Sequence, residues 1–145
     1  MSQNKDRKHK VWVSGAWAHR EEMGVKIDEL RQLGYEITHD WTRVEKAETP
    51  SPVDQGDYAK FDIDGVKNSD IAVAVMDDPD YAYRGTYTEI GCALGIGKPL
   101  HIVAPYPLDS CGNYVQTNVF FWHPDITHHE SWDAFVSYLQ SEYPL

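Results

Sequence analysis

The chain has 145 residues, 41% apolar and 25% charged, with 23 acidic against 13 basic side chains and a formal net charge of -10. That length suits one domain able to bury a core without disulfide or metal staples. The acidic balance argues against nucleic acid as a partner, because non-specific binding needs clustered Lys and Arg. Five Trp and nine Tyr argue against disorder. No apolar run approaches the ~18 residues of a membrane span, so no membrane partner is expected. The polar opening MSQNKDRKHK lacks a signal peptide's apolar stretch and reads as a disordered tail, residues 1–10, before a domain over 11–145. Cys92 and Cys111 form neither a disulfide framework nor a metal-knuckle spacing, which predicts a cytoplasmic protein with free thiols.

Strand and helix patterns alternate along the chain. Val11 to Gly15 reads as a first strand. Met23, Ile27, Leu30 and Leu33 recur at helical spacing and end at Gly34, a C-cap. Tyr35 to Trp41 is predicted as a second strand, and Glu45 to Gln55, with two prolines, as a loop. A helix is expected over Asp57 to Lys67, weakened by Gly65. Ile71 to Met76 is apolar on both faces, as a buried central strand of a parallel sheet would be. Thr86 to Ile96 is the third helix, with Gly91, Ala93, Gly95 and Gly97 read as close packing on the sheet. Leu100 to Val103 is a fourth strand, Ile126 to His128 a fifth, and Ser131 caps a last helix.

This order predicts an α/β fold: a single-domain Rossmann-like or flavodoxin-like parallel sheet of four or five strands with helices on both faces. Right-handed crossovers bring all strand C-terminal ends to one edge, where such sheets bind ligands. The edge segments are Ser14 to Arg20, His39 to Arg43, Asp77 to Glu89 and Ala104 to Asn118.

Thr86-x-x-Glu89 has the spacing of a capping box, a purely structural role. The same placement puts a carboxylate in the first helical turn, where the helix dipole keeps it ionised and able to attack an electrophilic sugar carbon. The loop Ser14 to Arg20 could cradle an anion or a hydroxyl with its backbone N–H groups. His19 and Arg20 could hold a phosphate or simply be solvated. Asp62 and Asp64 belong to a charge run that usually marks a solvated face. The seven histidines show no zinc spacing, so neither a metal nor another cofactor is expected.

Three patches together resemble the nucleoside 2-deoxyribosyltransferase family: Val13-Ser14-Gly15-Ala16-Trp17, the stretch Phe61 to Ile71, and Gly85-Thr86-x-x-Glu89-Ile90-Gly91 continuing to Gly97-Lys98-Pro99. The resemblance implies Glu89 as the nucleophile on C1′ of a 2′-deoxynucleoside, with a second nucleobase or water resolving the glycosyl-enzyme. It implies Asp62 as the acid near the leaving base. It places Gly15, Ala16, Trp17, Tyr83, Gly85 and Thr86 at the substrate, with Asn118 reaching a neighbouring subunit's site. The expected partners are therefore a nucleoside or nucleotide, a nucleobase, and a second copy in a homodimer or larger homo-oligomer. Tyr83 departs from the family, whose members carry an Asp there. A related branch, the 2′-deoxynucleoside 5′-phosphate N-hydrolases, carries a small hydroxyl residue for phosphate at that place, and His19 and Arg20 would be the phosphate ligands here. A non-catalytic nucleotide sensor is the third reading.

Overall fold

The computed structural model describes residues 8–105, 108–116 and 118–145. Five parallel strands form one sheet: β1 (Lys10–Ser14), β2 (Glu36–Ile37), β3 (Ile71–Val75), β4 (Leu100–Val103) and β5 (Ile126–His129). Their order is β2-β1-β3-β4-β5, the flavodoxin-like arrangement. β3 is the middle strand, and all five of its residues are buried. The predicted α/β parallel sheet and its central strand are thus both present.

The helices are α1 (Arg20–Leu33), α2 (Pro52–Asn68), α3 (Arg84–Gly95) and α4 (Trp132–Glu142). Alternation along β1 sends Trp12 and Ser14 to one face of the sheet and Val11 and Val13 to the other. Trp12 packs against Gly65, which places α2 on its face, and α3 lies beside α2. On the opposite face Trp132 of α4 donates to Glu29 of α1, and the hydroxyl of Tyr35 donates to Leu139 O and Tyr143 O. Helices therefore cover both faces.

Several local boundaries differ from expectation. Only Glu36 and Ile37 pair as β2, although Thr38 N–H still reaches Val11 O. Asp40 then captures the Thr42 N–H and turns the chain into a 3₁₀ turn, Trp41–Arg43. Trp41 folds inward and donates its indole N–H to Val13 O at 2.7 Å. The segment over Pro52 is helical, not loop. Pro52 stands at the first helical position, where its missing N–H costs nothing. Ser51 and Asp54 form a reciprocal capping box before it. Lys10 opens β1, its N–H held by the Asp70 carboxylate at 2.9 Å, and residues 1–7 of the expected tail lie outside the described residues.

Of the small residues expected to seat α3 on the sheet, only Ala93 reaches the core. Ala93 is buried, but a Cβ on Gly91, Gly95 or Gly97 would meet nothing within 4 Å. Among the described residues no helix is long and apolar enough to cross a membrane. Cys92 and Cys111 are free thiols.

Candidate active site

β1 and β3 are neighbours, and the chain leaves them in opposite directions, β1 toward β2 and β3 toward β4. The loops after these two strands must separate, and the crevice between them is the usual ligand site of an open parallel sheet. A cleft of about 670 Å³, counting its open mouth, lies there. Gly15 and Trp17 line it from the loop after β1, and Tyr81, Tyr83, Gly85, Thr86 and Glu89 from the β3–α3 connection and α3. Asp62, Tyr58 and Phe61 enter from α2, and His39, Trp41, Val44 and Lys46 from the segment after β2.

Seven of the nine expected site residues meet here: Asp62, Glu89, Gly15, Trp17, Tyr83, Gly85 and Thr86. Ala16 is buried behind the wall. Asn118 lies away from the cleft and caps the 3₁₀ turn Val119–Trp122, accepting from Phe120 N–H.

Glu89 is not part of a capping box. α3 begins at Arg84, with Tyr83 as its N-cap in the left-handed region, φ 53°. Thr86 therefore lies inside the first turn, and its hydroxyl donates to Gly15 O at 3.4 Å. Glu89 sits in the second turn, beyond the reach of the helix dipole. Its Oε1 instead accepts from Ser14 Oγ at 2.7 Å, and the Asp62 carboxyl lies beside it in the cleft. Burial pushes Glu89 up to about 8, opposed by the Ser14 hydrogen bond, aided by the Asp62 charge and opposed again by Lys46. Burial therefore works against the ionised form that the placement in the helix start predicts. Burial also raises Asp62, against the pull of His39 and Lys46. The nearest His39–Asp62 approach, Nε2 to Oδ1, is 3.9 Å.

Tyr83 is 1% exposed, and its hydroxyl accepts from Asp78 N–H at 3.0 Å. Burial raises this phenol to about 12, so it remains neutral. A buried tyrosine with positive φ is strained backbone held by its surroundings. It forms part of the aromatic wall of the cleft, its ring edge-on to Tyr81 at 4.8 Å.

His19 and Arg20 do not line the cleft. His19 Nε2 pairs with Asp78 Oδ2 at 2.9 Å, which ties the loop after β1 to the loop after β3. Arg20 lies over the Trp17 ring. Lys46 is the cation that faces the cleft, its Nζ 3.9 Å from the Trp17 centroid and 5.3 Å from that of Tyr58. Among the described residues no three of His, Cys, Asp and Glu gather as a metal-binding group.

Sequence reasoning missed Ser14, His39, Trp41, Lys46, Tyr58 and Tyr81. Ser14 stood inside a quoted patch, two residues after Trp12 on the same strand face. His39, Trp41 and Tyr81 stood inside the expected edge segments, Tyr58 lies on α2, and Lys46 comes from a segment without periodicity.

The family model described as nucleoside 2-deoxyribosyltransferase matches residues 11–116. No curated protein matches the sequence. The 2-deoxyribosyltransferase of Bacillus psychrosaccharolyticus has the same fold, with a TM-score of 0.68 and 19% identity over 94% of this chain and 96% of that one. A 2-deoxyribosyltransferase from Leishmania mexicana superposes with a TM-score of 0.65 at 16% identity, covering 93% and 99%. A CMP N-glycosidase from Clostridium botulinum gives 0.55 at 19% identity, covering 91% and 98%. The matched pattern spans both candidate carboxylates and most of the sheet, and the chain belongs to the nucleoside 2-deoxyribosyltransferase family.

Proposed function

We propose that this protein cleaves the N-glycosidic bond of 2′-deoxynucleosides and transfers the sugar to another nucleobase through a glycosyl ester on Glu89. The observation that carries this reading is the Asp62–Glu89 carboxyl pair in an aromatic-lined cleft at the sheet's switch point. Two adjacent half-buried carboxyls resist ionising together, and in this reading they share one proton. A nucleobase stacked among Trp17, Tyr58 and Tyr81 brings its ring nitrogen toward Asp62. The shared proton passes through Asp62 to that nitrogen, and Glu89 is left ionised. Its oxygen attacks C1′ while the C1′–N bond breaks and its electron pair leaves with the protonated base. A second base then attacks C1′ from the vacated face and expels Glu89, so two inversions give net retention. Aromatic walls that exclude water favour a base over water as the acceptor.

A second reading has a specific observation behind it. Lys46 offers a cation to a substrate phosphate, as hydrolysis of a nucleoside 5′-monophosphate would need. It replaces His19 and Arg20, which are occupied elsewhere. The active unit in either reading is a homo-oligomer, supported by an exposed apolar segment containing Tyr114, Val119 and Phe120.

The test is product analysis with deoxynucleosides and with their 5′-monophosphates, with and without an acceptor base. A new nucleoside supports transfer. Free base with sugar phosphate supports the hydrolase. Saturable binding without any product refutes both and leaves a sensor.

A further inference from the structure

Trp12 and Ser14 are two apart on β1 and point to the same face. Both are buried, at 1% and 2% exposure. Trp12 Nε1 lies 2.6 Å from Ser14 Oγ, and Ser14 Oγ lies 2.7 Å from Glu89 Oε1. The direction of this chain follows from chemistry. An indole N–H can only donate, and a serine hydroxyl has one proton to give. Ser14 therefore accepts from Trp12, and its own proton goes to Glu89. The indole cannot swing away. Gly65 of α2 lies against its Cε3 edge, where a Cβ would come within 2.6 Å, and the His39 ring is parallel to it at 6.5 Å.

We propose that Trp12 and Ser14 are positioning residues: a one-way hydrogen-bond relay that commits the Ser14 proton to Glu89 Oε1 and aims the other carboxylate oxygen at the cleft. The proposal deepens the deoxyribosyl-transfer reading and rests on Glu89 being its nucleophile. A carboxylate with one oxygen held attacks from a fixed position, without first losing rotational freedom. The relay also favours the ionised form, because a donor at Oε1 binds a charged carboxylate more strongly than a neutral carboxyl. The other groups facing Glu89 are Asp62 from α2, which opposes ionisation, and Lys46 from the segment after β2, which favours it. His39, Tyr58, Tyr81 and Tyr83 line the same cleft at greater remove.

Carbon-13 NMR of the glutamate side-chain carboxyls, with Glu89→Gln as the assignment variant, reads the titration of Glu89 directly and needs no turnover. Ser14→Ala is expected to move that titration upward by ~1 pH unit or more, because a donor to the charged form is lost. Trp12→Phe keeps the ring but frees the Ser14 hydroxyl to turn, so a smaller upward shift is expected. In kinetics Ser14→Ala lowers kcat by ~10-fold or more with KM changed by less than about threefold, since the interaction serves the reacting state. Melting curves for both variants confirm folding. An unmoved Glu89 titration in Ser14→Ala overturns the relay. A shift in Ser14→Ala with none in Trp12→Phe removes Trp12 from it and overturns the two-residue form. If the parent cleaves no nucleoside or nucleotide, the glycosyl-transfer reading fails, and the carboxyl titration still decides the relay by itself.

Discussion

The carboxyl groups of Asp62 on α2 and Glu89 on α3 face each other in one cleft, across the seam between the two helices. Neither helix alone brings two carboxyls together; their packing on one face of the sheet does so, and burial raises both.

Glu89→Gln should abolish glycosyl transfer, by at least ~10³-fold or about 4 kcal/mol of barrier, because an amide forms no glycosyl ester. Stability should move the other way. The folded state keeps a proton on Glu89 that the unfolded chain releases, from the ordinary value of 4.5 up to about 8. Folding stability therefore falls as pH rises through that window. The variant has no proton to lose, and its amide can donate to Asp62 while accepting from Ser14. Its melting temperature should equal the parent's near pH 4.5 and exceed it increasingly toward pH 8. Retained activity with lowered stability would reduce Glu89 to a structural residue.

Asp62→Asn tests the other half of the pair. Losing the general acid should lower kcat by ~10²–10⁴-fold for ordinary nucleosides. It should cost much less for a nucleoside whose base leaves without protonation. Removing the neighbouring charge also lets Glu89 ionise earlier, since that charge helps raise it. The parent's kcat/KM should fall above about pH 8 as the dyad loses its proton, and the variant's should not. Identical alkaline limbs in the two proteins would exclude a shared proton.

The strands were the most legible part of the chain, because Ile71–Val75 is buried on both faces and its composition says so. Glu89 and Asp62 were named through the family resemblance and both line the cleft, whereas by its own pattern Asp62 belonged to a solvated charge run. The start of α3 was not. Thr86-x-x-Glu89 satisfies a capping pattern, yet the helix begins earlier, where Tyr83 adopts φ 53°, and nothing local announces a positive φ at tyrosine. Pro52 was read as a breaker although Ser51 and Asp54 around it form a helix start. The cleft's cation was sought at His19, which tertiary structure gives to Asp78, while Lys46 lay in a stretch with no period at all. Side chains that converge from four segments leave no joint signature in any one of them.

His101 should govern acid stability. It lies on β4 against Phe135 and Tyr138 of α4, 2% exposed, with Nδ1 2.9 Å from His129 Nε2. Burial, then the neighbouring His129, depress it from 6.5 to about 4. The folded state binds fewer protons than the unfolded chain between those values, so stability is full above pH 6.5 and is lost as pH falls toward 4. The effect is on the order of 3 kcal/mol. His101→Asn should flatten this acid limb in urea titrations at several pH values. An unchanged limb would place the acid sensitivity elsewhere.

The segment from Leu108 to Trp122 should form the contact between copies. Gln116 anchors it, accepting from the Tyr87 hydroxyl through its side chain and from Trp122 Nε1 through its carbonyl. Tyr106, Pro107 and Thr117 lie outside the described residues. Val119 is 73% and Phe120 57% exposed, while Asn118 beside them is held as a cap. Light scattering should give a dimer or larger, and Val119→Asp with Phe120→Asp should dissociate it and reduce activity. A fully active parent monomer at assay concentration would refute this.

Gly65→Ala is the most economical probe of how the fold supports the site. Gly65 lies within α2, so alanine there should gain ~1 kcal/mol of helix propensity. The new Cβ, however, would stand 2.6 Å and 2.7 Å from Trp12 Cε3 and Cζ3, and 3.3 Å from His39 Cβ. Trp12 is tied to Ser14 and cannot retreat as a flexible chain end would. Overpacking of this kind costs ~1–3 kcal/mol and outweighs the propensity gain. The expected result is a melting temperature lower by ~3 °C or more, with kcat reduced because the displaced indole drags Ser14 off Glu89. Gly91→Ala in α3 is the matched control, since its Cβ would meet nothing within 4 Å. That variant should melt ~2–4 °C higher with unchanged kcat. If Gly65→Ala instead behaves like Gly91→Ala, the indole has room to move, and the α2–β1 contact does not set the geometry of Glu89.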